Sequence, residues 1–182
     1  MADAANPHTP RAGRVLSIQT GQVRPLRVGE RKLMSAIGKT PVTGPVELGP
    51  LGLEGDEQAD LSVHGGLSKA VYALPSEHLL WWQAQRQARG ATMFEENLPP
   101  GYLGENLSLQ GVLEADLFIG DSLDFGDVVL RVTQPREPCG KFNAVMGYAL
   151  AAKDMVQSGR CGFYLAVEQP GFLQAGATCQ VL

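Results

Sequence analysis

The chain has 182 residues, 44% hydrophobic and 19% charged, which suits one domain able to bury about two-thirds of its unfolded surface. Its formal charge of −4 gives no general attraction to phosphate backbones or anionic lipid, so neither duplex nucleic acid nor a membrane is an expected partner. No stretch nears the ~18 apolar residues of a membrane helix.

Residues 1–12, with Pro7, Pro10 and no apolar core segment, read as a flexible leader rather than a signal peptide, leaving 13–182 as the domain. Two short β-like runs, 14–18 and 23–28, are close enough to suggest a hairpin or meander. Residues 32–42 predict a further strand, and 46–53 a weaker one broken by Gly49-Pro50. An acid-rich loop, 53–60, leads to Val63-His64-Gly65-Gly66 and a buried strand over 69–74. Pro75 ends that strand. Ser76 is placed to cap a helix over 77–89, with Leu79, Leu80, Trp81 and Trp82 as its buried side. After a Pro-rich connection come strand candidates at 104–109, 117–119, 122–125 and 128–133, the last three parted by Gly120-Asp121 and Gly126-Asp127. A second helix is expected over 145–157, then closing strands at 162–168 and 177–181. With 22 glycines and 12 prolines as punctuation, the pattern predicts a mainly β fold, a mainly antiparallel barrel with two helices inserted.

Gln134-Pro135-Arg136-Glu137-Pro138-Cys139-Gly140-Lys141 is the most informative stretch. Two prolines stiffen the loop, and Arg136 and Lys141 flank a thiol whose deprotonated form they favour. A thiolate there suits nucleophilic attack or a soft metal; a small core cysteine is the bland alternative. Phe142 stands where a zinc deaminase needs a second cysteine, no Cys-x-x-Cys exists for structural zinc, and the papain-type signature is missing. His64-Gly65-Gly66 with Lys69 could face an anion, although a plain Gly-Gly turn explains the glycines equally well. Glu54 and Asp56 offer carboxylates for proton transfer or orientation, or simply a solvated turn. Gly104-Glu105-Asn106-Leu107 reads as a strand-opening turn. Cys161 and Cys179 lie in apolar strands and read as core, His8 falls in the leader, and His78 is expected at the surface. Three cysteines, odd in number and far apart, fit a reducing cytoplasm.

Six motifs occur in series: Gly52-Leu53-Glu54-Gly55-Asp56-Glu57-Gln58, His64-Gly65-Gly66, Lys69-Ala70-Val71, Gly104-Glu105-Asn106-Leu107, Ile119-Gly120-Asp121 and Gln134 to Cys139. Together they resemble the MOSC family, named for the C-terminal domain of molybdenum cofactor sulfurase. The likeness extends from Gly13 to Leu182 and is nearest to small bacterial members linked to 6-N-hydroxylaminopurine resistance. The resemblance implies a β-barrel similar to the small domain of pyruvate kinase, binding a molybdopterin-type molybdenum cofactor, with Cys139 as the metal ligand. It makes Lys39, His64, Gly65, Gly66, Lys69 and Arg136 candidates for cofactor or substrate binding, and Glu54 and Asp56 candidate catalytic groups beside Cys139. Pyridoxal phosphate is not expected. The implied activity is a detoxifying oxidoreductase reducing N-hydroxylated bases or amines, with an electron-donor flavoprotein as partner. A non-catalytic cofactor or sulfur carrier is the alternative. In one departure, such relatives often continue into a small helical C-terminal segment, whereas this chain stops at Leu182, after the last expected strand.

Overall fold

The computed structural model describes residues 11–60, 64–94 and 96–182, so the expected leader, but for its last two residues, lies outside the described residues, as does Val63. Those two belong to the fold: Arg11 C=O accepts from Val181 N–H, and the first strand starts at Ala12. The strands in chain order are β1 (Ala12–Thr20), β2 (Arg24–Val28), β3 (Arg31–Ser35), β4 (Thr40–Pro41), β5 (Val46–Gly49), β6 (Gly52–Leu53), β7 (Val71–Pro75), β8 (Leu107–Gln110), β9 (Ser122–Asp124), β10 (Val129–Pro135), β11 (Phe163–Gln169), β12 (Gly171–Leu173) and β13 (Thr178–Val181). Among the described residues three short α-helices interrupt them: α1 (Leu79–Ala88), α2 (Gly140–Met146) and α3 (Ala151–Ser158).

Seven strands close a barrel in the order β13-β9-β10-β11-β7-β8-β1, and β1 returns to β13 with Gly13 opposite Cys179. Closure pairs both edges of every barrel strand. All pairings are antiparallel except β7–β8, where Ala73 lies beside Leu107. The mainly β barrel expected from the sequence is therefore the fold observed. β4 extends β1, while β5, β6 and β12 form a separate small sheet.

The first two strands do not form a hairpin. Both edges of β1 are occupied by β13 and β8, so β2 pairs instead with β3 across Gly29-Glu30. Residues 36–39 also break the long strand expected over 32–42. Residues 117–119 are not a strand either: Phe118 N–H donates to Asp121 Oδ2 and bends the chain, leaving Phe118 and Ile119 exposed.

β7 is buried on both faces, which explains its unbroken apolar run. Val71 and Ala73 face the barrel interior; Tyr72 and Leu74 face a second core beneath the helices, with Trp82, Leu103, Phe142, Met146 and Met155. Helix α1 begins two residues later than its cap signal suggested, after a 3-10 turn at Ser76–His78, and Ser76 makes no capping bond. Its inward stripe is Leu79, Trp82 and Arg86, so Leu80 points outward and is 73% exposed, against expectation. His78 is likewise buried rather than superficial, its ring held between Glu114 Oε2 at 2.7 Å and Arg160 Nη1 at 3.2 Å. The helix expected over 145–157 is two helices. Gly147 adopts φ 75°, which ends α2, and Asn143 Oδ1 accepts from Ala152 N–H to start α3.

Cys179 is buried in the barrel core and Cys161 in the second core, as expected. Cys161→Ala and Cys179→Ala should each lower unfolding free energy by about 1 kcal/mol. Denaturant melts should register that loss, while thiol titration of the folded variants should leave Cys139 as reactive as before.

Candidate functional site

An open cleft lies where the two cores meet, at the start of β7. Its lining comes from the chain after β3 (Ser35 to Ile37, Lys39), the 56–59 loop, His64, Gly65, Lys69, β7 through Tyr72, the approach to β8 through Gly104 and Asn106, then Arg136, Cys139, Lys141, and Tyr164 of β11. Its empty space, solvent-open mouth included, is about 640 Å³.

Cys139 is half-buried and serves as the N-cap of α2. Burial pushes its thiol pKa up, but four influences together outweigh it. The His64 side chain hydrogen-bonds to the sulfur, Lys141 N–H donates to it, and the charges of Arg136 and His64 add to the pull. The net result is a pKa lowered from 9.0 to about 7. The Lys141 N–H is one of the first-turn donors that a helix leaves unpaired, and a thiolate at the N-cap satisfies it.

Arg136 is buried, with its guanidinium 5.0 Å from the centre of the Tyr72 ring and 4.9 Å from that of Phe142. Its Nη1 donates to Met155 Sδ at 3.1 Å, so the charge is braced from the helical core and faces the cleft. Lys69 lies 5.7 Å from the Tyr164 ring centre. Gly65 has φ 78°, which glycine alone adopts cheaply, and a Cβ there would press on the Gln58 side chain. Gly66 shares that conformation but is exposed and does not line the cleft.

The two expected carboxylates part company. Asp56 is almost wholly buried and works as an anchor: Oδ1 accepts from Lys39 Nζ and Gly21 N–H, and Oδ2 accepts from Asn106 Nδ2 at 2.9 Å. Lys39 is thereby held in the wall. Glu54, by contrast, is exposed in the turn after β6 and does not reach the cleft. Glu57 does line it, with Oε2 accepting from Val23 N–H at 2.7 Å.

Sequence reasoning left out several residues of the site. Lys141 was read only as a charge beside the thiol, yet it lines the cleft and its Nζ donates to Met34 C=O at 2.7 Å. Asn106 and Glu105, a strand-opening turn by sequence, are buried. Glu105 is fully buried and accepts from Gly101 N–H, Leu103 N–H and Ser108 Oγ; its carboxyl pKa is raised by burial, against which those bonds pull. The signal available was Asn after Glu before an apolar strand, a polar pair at a position where a buried strand begins.

Five cationic or proton-donating groups, Lys39, His64, Lys69, Arg136 and Lys141, thus surround one thiol, and the two lining carboxylates are engaged with the protein itself. The arrangement is suited to an anionic ligand carrying a soft centre. The MOSC domain family matches residues 60–180. The chain belongs to it. Protein YiiM of Escherichia coli is 36% identical over 167 residues, an alignment spanning 92% of this MOSC chain and 71% of that relative. A Gibberella moniliformis protein named Reductase is 32% identical over 175 residues, 96% of this chain but 30% of the larger protein. The crystal structure of YiiM from Geobacillus stearothermophilus superposes with a TM-score of 0.71 at 30% identity, covering 93% of this chain and 75% of that one.

The Cys139 environment makes a pH prediction. Only the thiolate is alkylated, and a pKa lowered to about 7 places the rise of the iodoacetamide rate near neutrality. His64→Ala removes the strongest lowering influence and should move that rise upward, toward the ordinary thiol range. A midpoint indifferent to His64 would break the proposed pairing.

Proposed function

We propose that this MOSC domain holds a molybdopterin-type cofactor in the cleft, with the Cys139 thiolate as protein ligand to the metal, and reduces N-hydroxylated bases or amines. The observation that carries the reading is the half-buried, His64-supported thiol with a pKa near 7 inside a ring of cations. The donor set fits the group. A single soft thiolate suits a metal whose other ligands come with its cofactor, and among the described residues no group of three His, Cys, Asp or Glu side chains would make a site alone.

The reaction R–NHOH + 2 e⁻ + 2 H⁺ → R–NH₂ + H₂O breaks one N–O bond. When bound, the cofactor would supply the two-electron chemistry of that step. The chain's own residues would bind and orient. His64 lowers the Cys139 pKa and so favours the thiolate, Lys69, Arg136 and Lys141 offset cofactor phosphate or substrate charge, and Asp56 fixes Lys39 through a buried ion pair. Asp56 therefore serves as an orienting group and Glu54 has no part in this scheme. A flavoprotein is the expected electron donor, and 6-N-hydroxylaminopurine is the representative substrate. A carrier of cofactor or sulfur would use the same binding residues but would not turn over a hydroxylamine.

Protein made in a molybdenum-replete host should contain molybdenum and a fluorescent pterin, and Cys139→Ser should lose most of the metal. Lys69→Met should weaken pterin retention about tenfold to a hundredfold, the worth of one charge-assisted hydrogen bond. Metal analysis and pterin fluorescence read both effects; metal content unchanged by Cys139→Ser defeats the ligand assignment. Turnover of a hydroxylamine with reduced viologen then separates enzyme from carrier.

A further inference from the structure

Residues 24–32 contain Arg24, Arg27, Arg31 and Lys32 against a single acid, Glu30. That segment is net +3 in a chain of net −4, which leaves −7 on everything else. All four cations are exposed, on the β2–β3 ribbon. Among the described residues, none of them is in an ion pair. Arg27 stands directly opposite Lys32 in the register. Like charges so placed destabilise an antiparallel pair, and no ion pair among the described residues relieves this one. Protection of an open strand edge accounts for a lone lysine, and acids would serve it equally well. It does not account for four cations and no pairing acid.

The ribbon also has a telling position. It pairs with no strand of the barrel, packs on α2, and is fastened by Lys141 Nζ donating to Met34 C=O. β3 runs directly into Ser35, Ala36 and Ile37 of the cleft wall, so Lys32 is within about 10 Å of that wall along the strand. A concentrated positive patch at the mouth of a cleft steers an oppositely charged protein toward it.

We infer that the β2–β3 ribbon is a docking site for an acidic electron-carrier protein, which reaches the cleft beside it. The inference rests on the reductive function proposed above, because each turnover draws two electrons and two protons to break the N–O bond and release water. Those electrons come from the reduced carrier, which leaves oxidised.

The probe is a purified acidic flavodoxin, titrated against the cofactor-loaded protein by calorimetry at low and at physiological ionic strength. Wild type should bind, more tightly at low salt, and Arg27→Glu/Lys32→Glu should weaken binding at least tenfold. Arg27→Gln/Lys32→Gln guards against misfolding: it relieves the repulsion, so its melting temperature should hold or rise while binding still falls. Equal binding by wild type and both variants, no flavodoxin binding, or preferential capture of a single-stranded oligonucleotide or anionic vesicles through these residues would overturn the inference. Hydroxylamine turnover with reduced viologen tests the reductive reading separately, and the ribbon variants should leave it unchanged. Viologen turnover without flavodoxin binding removes the docking site alone. Flavodoxin binding without any turnover removes the reductive reading and leaves the acidic-protein site.

Discussion

Asn106 ties the acidic loop to β1 and β7, the two strands that flank β8 in the barrel. Its backbone N–H donates to Tyr72 C=O and its C=O accepts from Gln19 N–H, while Oδ1 accepts from Tyr72 N–H and Nδ2 donates to both Gln19 C=O and Asp56 Oδ2. β1, β7 and the acidic loop therefore meet on one side chain. The position is needed because β7 and β8 are the barrel's parallel pair, and parallel strands require a long crossover. Where that crossover re-enters the barrel, backbone groups emerge buried and must find partners. Asn106 supplies them, and the cleft opens immediately above it.

That crossover carries α1 into the helical core that braces the site from behind, and the connection from β10 to β11 adds α2 and α3. Arg136 is the joint between core and site: its backbone N–H donates to Gly162 C=O, and its guanidinium lies against Tyr72, Phe142 and the Met155 sulfur. Burying a guanidinium is costly unless it is compensated, and aromatic faces compensate it in part. Its charge is in turn part of what lowers the Cys139 pKa. The chemistry of the thiol thus depends on packing among residues that never touch it.

Much of this was legible in the residue pattern. The barrel class, the buried run of β7 and the placement of Cys139 on a charged, proline-stiffened segment all follow from local rules of periodicity and turn chemistry. What escaped was set by partners far away in the chain. His78 reads as a helix-surface residue until Glu114 and Arg160 close over it from elsewhere in the sequence. Asp56 and Glu54 are chemically equivalent two residues apart, and only the approach of Lys39 and Asn106 makes one an anchor while the other remains in solvent. The break between α2 and α3 hangs on Gly147 and an Asn143 side chain, details that a smooth helical period conceals.

Closing the barrel through β1 and β13 joins residue 13 to residue 179, and this sets a timetable for synthesis. At ribosomal rates of roughly 5–20 residues per second, β1 waits about 8–35 seconds for its last partner. β8 can cover one side of it midway and β4 pairs early with Gln19 and Thr20 on the other, but the Ala12 to Arg14 edge stays an open template for strand pairing until β13 is made. Contacts so distant in sequence also fold slowly. A nascent chain of this architecture therefore depends on chaperone shielding or rapid release more than a helical protein of equal size, and its soluble yield should be governed by how quickly the final strand arrives.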